Sequence, residues 1–412
     1  MLLSAGILVV TFALLLARRV ARGTFVLRRP WIAAAGGLAM VLALQVSPQA
    51  ALSAIDLPTL ALLLGMMTVV AGLEIAGLFD RLSVEIVRRA RNGRALLAGT
   101  MVASAVLSAL VLNDAVVLVF APILVKAARL LHVSCVPYLF ALPIGANVGS
   151  VATLVGNPQN AYIGLASGVS FVDFAARLAP LAAAALALAL LATLAFFRRE
   201  LAAPFDRAAV DALAKPPLDP VLAPVVVAIA AATFAGFVAS SFLPLPLHLV
   251  ALAGGVAVAL AGLLRGPRFP ARIVGNVDYS ILVLFAGLFV LVAGVRESGL
   301  LSAMEHALLG GEVIPLRLAA VTAVLSNLVS NVPAVVLLAE HVSASGAGSD
   351  AWLLLAAAST LAGNATLLGS AANLIVAETA RGMGEEFDPW RFAKLGVPLS
   401  IATIALAVWW LS

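Results

Sequence analysis

The sequence predicts an all-α polytopic membrane protein built from two inverted-topology repeats, each with five spans, one re-entrant hairpin and one discontinuous helix. Of its 412 residues, 63% are apolar and only 11% are charged, whereas a soluble domain carries roughly 25% charged residues. Long apolar runs recur along the chain, which is typical of a helical bundle and not of a β-barrel, whose strands are short and alternate in polarity. The second half also repeats polar motifs of the first half in the same order.

Ten apolar runs are long enough to cross the hydrocarbon core of a bilayer. They cover 2–17, 31–46, 57–79, 136–163, 178–197, 219–241, 247–264, 279–297, 351–378 and 396–411. Two further apolar stretches, 95–130 and 316–342, carry polar residues at their middle. We interpret each as a re-entrant hairpin whose two arms are too short to cross the bilayer comfortably. The alternative is two ordinary spans in each stretch.

The basic residues predict the orientation through the positive-inside rule. If the loop after the first span is cytoplasmic, 22 of the 25 lysines and arginines fall in cytoplasmic loops, and only Arg177, Arg296 and Arg317 do not. We therefore expect an inner (plasma) membrane protein with both termini in the periplasm. The first apolar run has no basic region before it and five arginines after it, from Arg18 to Arg29, which favours a retained span over a cleaved signal peptide.

The internal duplication rests on blocks that align in the same order with nearly constant offset. Residues 56–80 align without gaps with 278–302, with nine of 25 positions identical, and ATLVGNPQN at 152–160 matches ATLLGSAAN at 365–373 at five of nine positions. The first block pairs Asp56 with Asp278, Gly65 with Gly287, Gly72 with Gly294 and Gly77 with Gly299.

These blocks divide the chain into two repeats. We predict repeat 1 at 1–200, with its hairpin at 95–130 and its broken helix at 136–163, and a cytoplasmic linker at 201–218. Repeat 2 then covers 219–412, with its hairpin at 316–342 and its broken helix at 351–378. An odd number of spans per repeat inverts the second copy, and inverted repeats place the substrate near the bilayer midplane where the broken elements meet.

Polar residues that interrupt the apolar helices are the candidate substrate- and ion-binding residues. Glycine and proline let a helix open, and freed backbone groups are tolerated in hydrocarbon only around a cavity or a ligand. Half-helix N-termini attract anions, while carbonyl, amide and hydroxyl oxygens suit a hard cation such as Na⁺. The candidates are Asn113, Asp114, Asn147, Gly149, Ser150, Thr153, Gly156, Asn157, Asn160, Ser326, Ser330, Asn331, Asn364, Thr366, Gly369, Ser370 and Asn373. The alternative is that such side chains only join helices to one another, which is common in membrane bundles.

Asp114 is the one carboxylate that the predicted layout places near the middle of the bilayer, where ionisable residues are costly and usually functional. Desolvation favours its neutral, protonated form, so Asp114 is the candidate proton carrier. A nearby cation would instead keep it ionised. In a water-filled hairpin tip, Asp114 would only cap a helix.

Four motifs carry a family resemblance. They are LNDAVVLVFAP at 112–122, GANVGSVATLVGNPQN at 145–160, SNLVSNVPAVVLL at 326–338 and LAGNATLLGSAANLIVAE at 361–378. They resemble the ion transporter superfamily, in particular its ArsB-type arsenite permeases and its citrate-transporter-like anion permeases. The resemblance covers most of the chain. It implies a scaffold domain, a moving transport domain and one cation-type site per repeat, near Asn113 and near Asn331.

The chain departs from the carboxylate-transporting relatives, which carry a Ser-Asn-Thr triplet at both hairpin tips. Here the tips read Leu112-Asn113-Asp114 and Ser330-Asn331-Val332. The missing threonines argue against di- and tricarboxylates. A carboxylate at the first tip fits proton coupling, or a neutral or cationic substrate, better. With Cys135 as its one cysteine, the chain would have to bind a metalloid through oxygen and nitrogen groups.

The sequence therefore predicts an ion-coupled secondary transporter for a small anion or an uncharged oxyacid, with arsenite- or antimonite-like efflux ahead of organic-anion uptake. We expect H⁺ or Na⁺ as the coupling ion and no other cofactor. An anion channel is the alternative of a different class. An enzyme is not expected, because the chain has neither a zinc-protease motif nor a phosphate-binding loop.

The expected partners are the substrate and the lipid bilayer. Nucleic acid is excluded because the basic residues lie in short loops between apolar runs. A homodimer, or a cytoplasmic ATPase if the chain is ArsB-like, stays open as a protein partner.

Overall fold

The computed structural model describes residues 1–17, 29–203, 214–300 and 314–412, and all the regular secondary structure in these ranges is helical. Four of the five arginines after the first predicted span lie at 18–28, outside the described residues. Residues 204–213 of the predicted linker also lie outside them.

Ten α-helices form the first half. They are α1 (Leu2–Ala17), α2 (Arg29–Leu42), α3 (Pro48–Ser53), α4 (Leu57–Ile75), α5 (Leu78–Arg89), α6 (Gly93–Leu110), α7 (Asn113–Leu130), α8 (Val136–Ser150), α9 (Pro158–Ser167) and α10 (Phe171–Phe196). Helix α10 begins seven residues before the predicted span, since the Ser170 hydroxyl accepts from the backbone N–H of Asp173 and caps a first turn that is less apolar than the rest.

The described part of the second half contains nine α-helices. They are α11 (Leu222–Ala239), α12 (Leu247–Ala261), α13 (Phe269–Gly275), α14 (Ser280–Glu297), α15 (Pro315–Val329), α16 (Asn331–Ala344), α17 (Ser349–Ala362), α18 (Ala371–Gly382) and α19 (Pro389–Leu411). As in α10, the last helix begins before its predicted span, because Asp388 accepts from the backbone N–H of Trp390. Short 3₁₀ turns cover Glu200–Ala202, Gly262–Arg265 and Leu367–Gly369.

Seven helices in the described ranges are long and apolar enough to cross a membrane, namely α4, α6, α10, α11, α12 with its following 3₁₀ turn, α14 and α19. The chain is thus a multi-pass membrane protein. One of the seven, α6, is an arm of the first predicted hairpin, and its 18 residues suffice to span. Arm length was therefore the wrong reason for predicting that hairpin; the second hairpin has arms of 15 and 14 residues.

Both predicted broken helices are interrupted. Helix α8 ends at Ser150 and α9 begins at Pro158, while α17 ends at Ala362 and α18 begins at Ala371. The hairpin tips are short: Val111 and Leu112 separate α6 from α7, and Ser330 alone separates α15 from α16. Ser330 has φ 86° and ψ 160°, a conformation that residues with side chains rarely adopt and that costs about 1–3 kcal/mol.

Two helices equivalent by the duplication, α4 and α14, each pack against a helix of the other half. Helix α4 lies on α12, where a Cβ on Gly65 would approach the carbonyl carbon of Ala251 to 2.3 Å. Helix α14 lies on α2, where a Cβ on Gly287 would approach the carbonyl carbon of Ala33 to 2.5 Å. The aligned glycines thus allow the same close helix crossing in both halves, and each crossing packs a helix of one half against a helix of the other.

Helices α4 and α14 run in opposite directions beside each other. The amide of Asn276, just before α14, donates to the Glu74 carboxylate in the last turn of α4 at 3.0 Å. At the other end, Asp56 caps the start of α4 and shares a cavity with Arg296 in the last turn of α14. Inverted repeats predict this antiparallel relation between equivalent helices.

Candidate functional site

A central cavity of about 310 Å³ lies where the interrupted elements meet. Its wall includes both hairpin tips, at 112–115 and 329–333, and the first residues of α9 and α18. Helix α4 contributes Met67, Val70, Ala71 and Glu74, and the start of α14 contributes Ser280, Ile281 and Leu284. The cavity therefore draws on both halves of the chain.

Five helices begin at the wall of this cavity. They are α7 at Asn113, α9 at Pro158, α14 at Ser280, α16 at Asn331 and α18 at Ala371. The first turn of a helix has backbone N–H groups without intrahelical partners and carries a partial positive charge. The backbone around the cavity thus offers hydrogen-bond donors and a positive potential.

The side chains that line the cavity have the opposite character. They include three carboxylates, Glu74, Asp114 and Asp278, and no lysine, arginine or histidine among the described lining residues. The remaining polar groups are amides and hydroxyls, on Asn113, Gln159, Asn276, Ser280, Ser330, Asn331 and Ser370. Donors from the backbone and acceptors from the side chains therefore face the same space.

Asn147, in the last turn of α8, connects the first half to the break of the second half. Its amide nitrogen donates to the Oδ1 atoms of Asn364 at 2.9 Å and Asn373 at 3.1 Å. Its own Oδ1 accepts from Asn113 Nδ2 at 3.2 Å and from Ser370 Oγ at 3.0 Å. Because an amide offers two donors and two acceptor lone pairs, Asn147 is fully satisfied by protein groups.

Thr360, the residue equivalent to Asn147 in α17, makes the reciprocal connection. Its Oγ1 accepts from Asn157 Nδ2 at 3.0 Å, in the break of the first half, and from Gln159 Nε2 at 3.4 Å, at the start of α9. Asn157 also donates to Ser150 Oγ at 3.1 Å. Helices α8 and α17, which precede the two breaks, thus each hydrogen-bond through one side chain to the unwound segment of the other repeat.

A second pair of asparagines fixes the unwound segments internally. Asn160 Nδ2 donates to the carbonyls of Ser150 and Thr153, both at 3.0 Å. In the other half, Asn373 Nδ2 donates to the carbonyls of Gly363 at 2.7 Å and Thr366 at 2.8 Å. These bonds satisfy carbonyls that the break has freed from their helix.

The tip asparagines join the hairpins to the breaks. The backbone N–H of Asn113 donates to the carbonyl of Gly156 at 3.0 Å. In the amide orientation that matches donors with acceptors, Asn331 donates to the carbonyls of Gly369 at 2.8 Å and Ser359 at 3.1 Å, and accepts from Gln159 Nε2 at 3.3 Å. Both tips are therefore anchored to unwound backbone.

The structure brings five of the predicted site residues to the cavity wall, namely Asn113, Asp114, Ser330, Asn331 and Ser370. The other predicted residues lie behind the wall or in helix contacts. They are Asn147, Gly149, Ser150, Thr153, Gly156, Asn157, Asn160, Ser326, Asn364, Thr366, Gly369 and Asn373.

These residues support the breaks or pack helices closely. Thr153 Oγ1 donates to the Ala109 carbonyl at 2.6 Å, and Thr366 Oγ1 donates to Asn327 Oδ1 at 2.9 Å. A Cβ on Gly149 would lie 2.0 Å from the carbonyl oxygen of Ala105, so only glycine allows α8 to approach α6 this closely.

Several polar residues of the cavity wall were not among the predicted site residues. Glu74, Asn276 and Asp278 reach the cavity from the junction of α4 and α14, and Gln159 reaches it from the start of α9. Asp278 could have been found, because the duplication aligns it with Asp56. Glu74 near the end of an apolar run gave no such signal, since long acidic side chains at span ends usually reach the interface.

Outside the spans, one ion pair connects α7 to the loop after α18. Arg129 Nη2 lies 2.8 Å from Glu385 Oε1, and hydrogen bonds from Arg129 and Cys135 lower the pKa of the Glu385 carboxyl. Burial raises the pKa of the Cys135 thiol to about 12, with a further contribution from its hydrogen bond to Glu385. Cys135 is therefore a protonated, unreactive thiol at neutral pH.

The backbone arrangement is similar to that of a solved membrane transporter. The crystal structure of the YdaH transporter from Alcanivorax borkumensis matches with a TM-score of 0.57 over 99% of this chain and 97% of that one, at 18% identity. At this identity the similarity establishes the fold alone.

Sequence relatives extend over most of the chain. The silicon efflux transporter LSI3 of Oryza sativa subsp. japonica is 29% identical over 440 residues, which cover 90% of each protein. The uncharacterized transporter Rv2684 of Mycobacterium tuberculosis is 31% identical over 372 residues, covering 86% of this chain and 85% of Rv2684. The inner membrane protein YbiR of Escherichia coli is 29% identical over 365 residues, covering 86% of this chain and 87% of YbiR.

The sequence model of the citrate transporter family, CitMHS, matches residues 12–362. That match includes both hairpins, the first broken helix and most of the cavity wall. The family lies in the ion transporter superfamily that the four motifs resembled. The chain is a membrane transporter that belongs to the CitMHS citrate transporter family.

Proposed function

We propose that this chain is an ion-coupled secondary transporter that moves a small oxyacid across the inner membrane by alternating access, with an uncharged oxyacid of the arsenous or silicic acid type as its substrate and efflux as its direction. The central cavity is the substrate site in this proposal. Asn113, Asp114, Ser330, Asn331 and Ser370 would contact the substrate.

The observation that carries the proposal is the combination of charges around the cavity. Three carboxylates face it, and no cationic side chain is among its described lining residues, so a multiply charged anion would meet repulsion from the side chains. An uncharged oxyacid fits both parts of the wall: its hydroxyls donate to carboxylate and amide oxygens, and its oxygen lone pairs accept from the helix N-termini.

The similarity to a silicon efflux transporter supports the same substrate class. Silicic acid and arsenous acid are small, hydroxylated and uncharged at neutral pH. A site without a cysteine cluster suits both, because it would bind them by hydrogen bonds rather than by thiolates.

Asp114 is the proposed coupling residue. It stands in the first turn of α7, at a hairpin tip and on the cavity wall. Proton uptake from one side and release to the other would couple transport to the proton gradient. Na⁺ bound near Asn113 and near Asn331 is the alternative coupling ion.

Alternating access is supported by the arrangement of the halves. The antiparallel course of α4 and α14 and the reciprocal bonds of Asn147 and Thr360 are those expected of inverted repeats at 1–200 and 219–412. With both termini periplasmic, the Glu74 end of α4 faces the cytoplasm. The central cavity would then be the cytoplasmic access to the site.

An organic-anion permease for citrate or a dicarboxylate is the second candidate. It is favoured by the family match and by the five helix N-termini at the cavity, which would attract carboxylates. The substrate assay below decides between the two candidates.

The proposal is tested with purified protein in liposomes. Uptake of arsenite, silicate, citrate, succinate and sulfate is measured under separate H⁺ and Na⁺ gradients, with empty liposomes as the control. We expect gradient-driven movement of silicate or arsenite and none of citrate. Citrate or succinate transport in preference to both oxyacids would support the second candidate, and single-channel currents in planar bilayers would overturn the transporter mechanism.

A further inference from the structure

A second cavity, of about 180 Å³, lies at the opposite end of α4 and α14 from the Glu74–Asn276 contact. It is lined by the residues just before α4, the end of α14, α9 and α16. Its polar residues are Asp56, Tyr162, Arg296 and Glu340. None of these belongs to the site described above.

The duplication relates this smaller cavity to the central one. When the hairpin tips are also aligned, with Asn113 matched to Asn331, eight of the ten residues that line the smaller cavity align with residues that line the central cavity. Only 26 of 412 residues line the central cavity. In three of these pairs, Asp56, Val292 and Arg296 correspond to Asp278, Val70 and Glu74. The two cavities are therefore equivalent surfaces of the two repeats, one wide and one narrow.

Two contacts cross the narrow cavity that its wide counterpart does not have. Arg296 Nη1 lies 3.3 Å from Glu340 Oε2, which connects α14 to α16. Tyr162 of α9 packs against Phe289 of α14 with ring centroids 5.3 Å apart. The positions equivalent to Arg296, Glu340 and Tyr162 in the other repeat are occupied by Glu74, Pro122 and Ile375, which form neither an ion pair nor a ring contact.

We infer that the smaller cavity is the closed second access path to the substrate site, and that the Arg296–Glu340 ion pair with the Tyr162–Phe289 contact is its gate. This inference rests on the proposed alternating-access function. The gate joins α14 to hairpin arm α16 and to α9, so movement of these elements away from α14 would open the path. In the wide cavity, Glu74 takes the position equivalent to Arg296, so no ion pair of this kind closes that side.

The exposure of the ion pair fits a gate that opens in every cycle. The side chains of Arg296 and Glu340 are 55% and 30% exposed. An ion pair this accessible to water biases a two-state equilibrium only weakly, so its loss should change the two populations by about two- to five-fold. The gate thus favours the closed state only slightly, so the path can open in each transport cycle.

Sided thiol labelling tests the inference without any substrate. In a Cys135→Ala background, Ala71→Cys places a thiol in the wide cavity and Ala293→Cys places one at the equivalent position of the narrow cavity. A membrane-impermeant maleimide is added to one face of oriented liposomes at a time. We expect Ala71→Cys to react from one face, and Ala293→Cys to react, more slowly, from the other.

The gate itself is tested in the same two backgrounds. Arg296→Gln or Glu340→Gln should speed labelling of Ala293→Cys about two- to five-fold and slow labelling of Ala71→Cys, because one access path opens as the other closes. The double variant Arg296→Glu with Glu340→Arg should restore the original rates. Arg265→Gln, which breaks the Arg265–Asp219 ion pair away from both cavities, is the matched control and should change neither rate.

Labelling of both thiols from the same face would overturn the inference. So would an Ala293→Cys rate that neither Arg296→Gln nor Glu340→Gln changes. Because no substrate enters the assay, a wrong substrate assignment leaves this result intact, and a failed gate leaves the uptake result intact.

Discussion

Asn160 and Asn373 hold equivalent positions just after the two breaks and make the same pair of hydrogen bonds, each to carbonyls ten and seven residues earlier in the chain. Each asparagine follows an unwound segment and closes it by donating both amide hydrogens back to its beginning. The two unwound segments are thus defined local structures rather than irregular loops.

This relationship predicts a structural role for both asparagines. Asn160→Ala leaves the Ser150 carbonyl without this donor, and Asn373→Ala leaves the Gly363 carbonyl without it, at about 1–3 kcal/mol. We expect a lower melting temperature in detergent together with lost transport. Asn92→Ala is the control: Asn92 caps α6 from an exposed position, and its loss should cost about 1 kcal/mol and leave transport intact. An unchanged melting temperature in both asparagine variants would contradict the role.

Asp114→Asn should abolish coupling without affecting insertion. The amide has nearly the same shape as the carboxylic acid but cannot exchange a proton, so uptake should lose its dependence on the pH gradient while the protein still purifies with its normal melting temperature. Glu386→Gln neutralises an exposed carboxylate far along the chain and serves as the control. If uptake by Asp114→Asn still depends on the pH gradient, Asp114 is not the proton carrier.

The close helix crossings predict steric sensitivity at two glycines. Gly65→Ala and Gly287→Ala each place a Cβ within 2.3–2.5 Å of the backbone of the partner helix, so we expect about 1–3 kcal/mol of destabilisation from overpacking. Gly6→Ala is the control, since its Cβ would have no neighbour within 4 Å and alanine favours helix more than glycine. Thermal unfolding in detergent measures all three; equal melting temperatures would contradict the crossing.

The ion pair at Glu385 predicts the reactivity of Cys135. Burial keeps the thiol pKa high, and the Glu385 carboxylate raises it further. Glu385→Gln removes that charge, so the thiol pKa should fall and alkylation by iodoacetamide at pH 8 should speed up, about ten-fold for a fall of one pKa unit. Glu386→Gln, at the neighbouring exposed position, should leave the rate unchanged.

The same pair has a defined pH dependence. The pKa of Glu385 is lowered in the folded protein, so its contribution to stability is present above the ordinary carboxyl pKa and is lost as the pH falls through the lowered value. We expect Glu385→Gln to reduce the melting temperature slightly at pH 7 and less as the pH falls below the ordinary carboxyl range. A reduction that stays equally large in acid would point to a packing effect instead.

The sequence by itself determined the elements whose causes are local. Apolar runs predict membrane helices because hydrocarbon requires every backbone group to be bonded within its segment. Pro158, Gly363 and the polar residues beside them predict interruptions because they weaken those bonds. The interruptions at 151–157 and 363–370 lie inside the predicted broken helices, and five predicted site residues line the central cavity.

Only the tertiary structure decided which polar residues face the cavity and which support it. Asn147 and Asn113 have the same side chain, but Asn147 is satisfied by four groups from other elements whereas Asn113 lies on the wall. Glu74 meets Asn276, 202 residues later in the sequence, only because α4 and α14 run antiparallel. Such contacts depend on how the two halves pack against each other. The residue type at one position does not indicate which distant residue it will contact.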